Sequence, residues 1–277
     1  MIAGHCGLID FGKYSVGQLF SFYMGWFFFK SGMFHKRRKL TQSIVIKWCN
    51  SLVKPFVIFT FLGLILPISK LVITGNTNYS IEQFIIEICN QGASYYNIPL
   101  WFLSSLFIIK ILSCGLTKSK WYWWAGISLS IALFHNLYCD FYQLSFIGNI
   151  ALGVICYTLG YVLCDISAGI KTGICCLIIY IILQLVLPSC INFFRNHNYF
   201  GNYYIAIIGM FPAIIGINAV FKNIKFLNFR LLNHVGRDSI KYLVLHYPFC
   251  LVFRPLLGGG EFLDCHNFKL GYSLSDI

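Results

Sequence analysis

Few side chains in this sequence can move a proton or hold an anion, and they lie within or beside long apolar runs. His5 stands in Ala3-Gly4-His5-Cys6-Gly7-Leu8. An imidazole with an unperturbed pKa near ~6.5 suits proton transfer at neutral pH, so His5 is a candidate general base; the plainer reading is a histidine hydrogen-bonded to a neighbouring helix. Lys30 interrupts a Phe-rich run. It either snorkels to lipid phosphates or meets an anionic ligand from the cytoplasm. From His35 the chain turns basic: Lys36, Arg37, Arg38 and Lys39 are consecutive, and Lys47 and Lys54 follow. This cluster reads as a topology signal, and it also suits the phosphates of a nucleotide-bearing cofactor. For His246, near the inner end of a late apolar run, helix packing and a part in a site are both open. No Cys-x-x-C occurs among the twelve cysteines, and Cys156, Cys164, Cys175, Cys176 and Cys250 sit inside apolar runs, so no metal site is expected and cysteine acts as a small apolar residue.

These groups need helices to hold them. Gln18 to Lys39 is a mostly apolar stretch ending in four cations. Its length approaches the ~20 residues that cross a ~30 Å hydrocarbon layer, and the cations belong on the cytoplasmic side, so this helix runs from outside to inside. Met1 to Ile9 then reads as the outer end of a preceding helix whose start is absent, and the chain is expected to be N-terminally shortened. After a polar, basic connector, the expected spans are Pro55–Ile73, Tyr95–Leu112, Trp121–Leu137, Phe146–Cys164, Gly173–Asn192, Tyr203–Phe221 and Ser239–Leu257. Pro67 is expected to kink its helix, and Ile81 to Ile88 to lie along the outer interface. The result is an all-α, polytopic transmembrane bundle of eight full spans plus a partial first helix, over residues 1–257, with a polar tail at 258–277. Most of the 21 Lys and Arg residues fall on inner loops or their edges; the outer loops keep Lys13, Arg195 and Lys269.

Composition agrees with this map. The chain has 277 residues, 58% hydrophobic and 11% charged, against about 25% charged in soluble domains. A net charge of +12 in a soluble protein would point to nucleic acid; here the cations punctuate apolar runs, so topology accounts for them and no nucleic-acid partner is expected.

Three stretches carry a resemblance. Ala3–Leu8 followed by Phe27-Phe28-Phe29-Lys30-Ser31-Gly32, then Ile98-Pro99-Leu100-Trp101-Phe102-Leu103, then Gly236, Ser239, Tyr242 and His246 resemble, in order, the motifs of the acyltransferase-3 family of integral membrane O-acyltransferases. The resemblance implies about ten spanning helices and transfer of an acetyl group from cytoplasmic acetyl-CoA to a hydroxyl of a surface or lipid-linked glycan. It implies that His5 is catalytic. Ser31, Gly32, Trp101, Ser239 and His246 match other family motif positions, and Lys36, Arg37, Arg38, Lys39, Lys47 and Lys54 lie where the CoA phosphates would be met. The family's arginine, about ten residues before the histidine, falls before Met1; Lys30 takes a usually apolar place; and a last helix beyond Gly260 is missing, so a member shortened at both ends is expected. The implied setting is a multi-pass protein of the bacterial inner membrane. Spans with interior polar residues also fit a transporter of sugar or lipid-linked sugar without chemistry, and the shortened ends fit an inactive acyltransferase remnant.

Overall fold

The computed structural model describes residues 10–11, 14–15, 22–36, 39–74, 80–117, 120–138, 145–165, 168–186, 203–223, 242 and 244–245. His5, Arg37, Arg38, Ser239 and His246 lie outside them. Apart from a two-residue antiparallel pair, β1 (Asp10–Phe11) with β2 (Tyr14–Ser15), every described element is helical. The α-helices are α1 (Tyr23–Met33), α2 (Gln42–Trp48), α3 (Lys54–Thr74), α4 (Ile81–Gln91), α5 (Trp101–Leu112), α6 (Trp121–Tyr138), α7 (Ser145–Leu163), α8 (Ile170–Val186) and α9 (Tyr203–Asn223).

Among the described residues, three helical stretches are long and apolar enough to cross a membrane: Gln42–Ser69, Tyr96–Gly115 and Phe146–Leu163. Trp121–Phe134 and Ile170–Leu183 are shorter apolar helices. The ranges read from hydropathy and the helices found agree to within three residues at α3, α6, α7 and α9. The basic connector differs from expectation. It is helical, because a π-helical turn at Cys49–Val53 joins α2 to α3 without a break. One extra residue in that turn keeps the backbone bonded where an α-helix would otherwise end.

The core forms around α7, which packs on α1, α5 and α6, while α8 pairs with α9. Between helices in lipid, apolar burial gives little drive, and close packing with small residues takes over. Ala151 to Thr158 is continuously buried for this reason. A Cβ on Gly32 would overlap the Tyr157 carbonyl, and one on Gly160 would overlap the Phe29 carbonyl, so α1 and α7 touch backbone to backbone. Gly173 of α8 and Gly216 of α9 form a second close crossing, where a Cβ on Gly216 would come within 3.0 Å of the Gly173 carbonyl. The outward faces of α3, α6 and α8 expose large apolar side chains such as Phe61, Phe134 and Ile182, the surface that lipid tails cover.

α4 is the expected amphipathic helix. Ser80 caps it by accepting from the Gln83 N–H at 3.1 Å, and Gly92, at φ 77°, ends it in the left-handed conformation that glycine adopts at least cost. A 3₁₀ segment, Tyr95–Leu100, follows, with Pro99 and a non-helical Asn97 before α5 begins. Asn97 is fully buried, and its Nδ2 donates to the Phe59 carbonyl of α3 at 3.3 Å and to the Val244 carbonyl at 3.4 Å.

Candidate functional site at the basic end

α1 ends at Met33, and the chain leaves the bundle through Phe34, His35 and Lys36. Gly32 sets the position of this exit, because its contact with the Tyr157 carbonyl draws the end of α1 onto the middle of α7. His35 lands beside two tyrosines one helical turn apart. Its Nδ1 and the Tyr157 hydroxyl share a hydrogen bond at 2.9 Å, and its ring stands edge-on to Tyr161 with centroids 4.9 Å apart. Ser113, at the end of α5, donates its hydroxyl proton to the Ile109 carbonyl one turn earlier. The His35–Tyr157 bond therefore links the α1 exit to α7.

The second ring nitrogen, His35 Nε2, is buried and has no hydrogen-bond partner among the described residues. With Tyr157 donating to Nδ1, Nε2 carries the ring proton and lacks an acceptor; in the opposite tautomer it is an unused base. Burial, and then the ammonium of Lys110, hold the His35 pKa below the ordinary imidazole value, so the ring is neutral at pH 7. Lys110 in turn feels the charge of Lys47. Lys36, Lys39, Lys47 and Lys54 are exposed, as groups meeting a soluble anion must be. Ser113 and Tyr157 also line a narrow crevice with Ile109, Leu116, Trp124 and Thr158, which has room for about one water molecule.

The residues singled out from sequence fall into separate groups. Gly32 is a packing residue. Trp101 is buried at the start of α5, its ring 6.2 Å from that of Phe28, and it supports the core. Lys30 has its Nζ 5.8 Å from the centre of the Trp26 ring, so the ammonium turns back along α1 rather than toward the basic loop. Sequence reasoning missed Tyr157, Tyr161, Ser113 and Lys110. A signal existed in two tyrosines spaced i, i+4 on an apolar helix, but nothing in the sequence tied them to His35, 122 residues from Tyr157.

A family model described as an acyltransferase domain matches residues 1–268. No curated protein and no solved structure matches the chain.

Proposed function

Because the chain belongs to the acyltransferase-3 family of integral membrane acyltransferases, we propose that it moves an acetyl group from acetyl-CoA to a hydroxyl of a cell-surface or lipid-linked glycan, in a bacterial inner membrane. One observation supports the donor side of this reading: four exposed lysines, Lys36, Lys39, Lys47 and Lys54, follow α1 in the chain, and the neutral His35 at its exit has a nitrogen without a hydrogen-bond partner among the described residues. Lysines suit the phosphates of CoA, and Arg37 and Arg38 add two charges in the same loop.

In this reading His5 takes the proton from the sugar hydroxyl as its oxygen attacks the thioester carbonyl. The new C–O bond forms, the C–S bond breaks, and the CoA sulfur leaves as thiolate and is protonated. Ser239 and His246, at further motif positions of the family, are the other residues this reading assigns to the substrate or to the frame of the site. The transporter reading has no specific structural observation in its favour.

The test uses membranes carrying the full chain, with acetyl-labelled acetyl-CoA and glycan. A positioned base contributes ~10²–10⁴-fold, so His5→Ala should lower label transfer by that factor while donor binding stays unchanged. Equal transfer by the variant would remove the base role, and export of glycan without label would replace the enzyme by a transporter.

A further inference from the structure

Elsewhere on α1, a second group of donors has no counter-charge. Lys30 is half-buried in an apolar helix, an expensive place for a cation and so a site by default. Side chains on a helix lean toward its N-terminus, which lays the Lys30 ammonium over Trp26, one turn earlier. The Trp26 ring also meets Phe221 at 6.1 Å, near the end of α9. The next residue, Lys222, is exposed, and its charge bears on Lys30 across the α1–α9 seam. Two ammonium groups thus repel each other where a carboxylate would be welcome, yet no carboxylate pairs with either among the described residues.

A third donor joins them. The indole Nε1–H of Trp26 is buried and has no acceptor among the described residues. An indole N–H can only donate, and leaving it buried and unpaired costs free energy. The ring itself already serves Lys30 through its face, so the N–H is free for a separate partner.

We infer that Trp26, Lys30 and Lys222 form a binding site for a phosphate group, supplied by the headgroup of an anionic phospholipid. Both lysines supply charge, and the indole N–H supplies a directed hydrogen bond. A lipid is the source that fits the surroundings. Phe221 is 44% exposed on an apolar helix, and the partners of the site are aromatic rings rather than hydrated loops. Basic pockets between spanning helices hold lipid headgroups in the same way. The site joins α1 to the end of α9, and it uses none of the residues assigned to the acetyl donor.

The test reconstitutes the full chain in nanodiscs of phosphatidylcholine containing phosphatidylglycerol, and reads by native mass spectrometry which lipid stays bound. Wild type should retain phosphatidylglycerol above its bulk share. A lysine near a membrane surface is worth ~1 kcal/mol toward an anionic lipid, so Lys30→Met and Lys222→Met should each lower that enrichment about fivefold. Trp26→Phe keeps a ring and removes the donor, and should lower it as well. Lys30→Met removes a charge from an apolar helix and so threatens folding least. Three results would overturn the proposal: no enrichment in wild type, enrichment unchanged in all three variants, or displacement of phosphatidylglycerol by inorganic phosphate, which would make the occupant a soluble anion.

Discussion

Gly32 and Gly160 are reciprocal: each lies against a backbone carbonyl of the other's helix, Gly32 on Tyr157 and Gly160 on Phe29. Four residues on two helices thus form one closed contact. A methyl at either glycine would have to displace backbone, which cannot rotate away as a side chain does.

Gly32→Ala is therefore expected to destabilise the bundle by at least the ~1–3 kcal/mol typical of overpacking. Gly126, by contrast, has nothing within 4 Å of its added methyl, and Gly126→Ala should be neutral or slightly stabilising. Thermal unfolding of the two purified variants in the same detergent gives the comparison; equal midpoints would dismiss the contact as a determinant of stability.

The hydroxyl of Tyr157 satisfies His35 Nδ1 at 2.9 Å. Tyr157→Phe keeps the ring and leaves His35 Nδ1 unpaired, a loss of about 1–3 kcal/mol. If the basic end receives the donor, the variant should also raise the donor KM more than it lowers kcat. A fall in kcat alone would separate this pair from donor binding.

His35 gives stability a pH dependence of defined sign. Its folded pKa lies below the unfolded value near ~6.5, so the unfolded chain binds the extra proton first. Its effect on stability is therefore absent above that value and grows as pH falls from it toward the folded pKa. Lys110→Met removes one of the two causes, which leaves burial alone. The acid-side fall in the thermal midpoint should be smaller in the variant; a curve identical to wild type's would mean the Lys110 charge does not reach the ring.

Asn97 ties three segments together through one amide nitrogen. Asn97→Leu fills similar volume without either bond. Polar contacts between membrane helices average ~0.6 kcal/mol, so the loss should be roughly 1–2 kcal/mol, read as a shifted midpoint in denaturing-detergent titration. No shift would show that the kink before α5 is held by Pro99 and packing alone.

The helices were legible because crossing lipid demands an unbroken apolar run, and a run of that length leaves a plain trace in the sequence. α6 and α7 could be placed within a residue or two on that basis. The connector before Lys54 was not, since its polar residues read as a loop while its backbone continues the helix through a π-turn. Of the site, the exposed lysines could be read directly, because charge in a short loop is a local property. The His35–Tyr157 pair could not. It depends on how α1 and α7 meet, and apolar helices of similar composition offer many faces for meeting. Gly32 shows the same limit from the other side: its place in a motif was visible, whereas the carbonyl that requires it was not.

The π-turn has a mechanical result. Gln42 to Thr74 is a single rod of about 50 Å at ~1.5 Å per residue, whereas the oily layer is ~30 Å deep. Part of that rod has to stand clear of the lipid, and Lys47 rides on one end of it. The cation is thereby carried on continuous helix rather than on a swinging tether, with the π-turn and Pro67 as the places where that helix can bend.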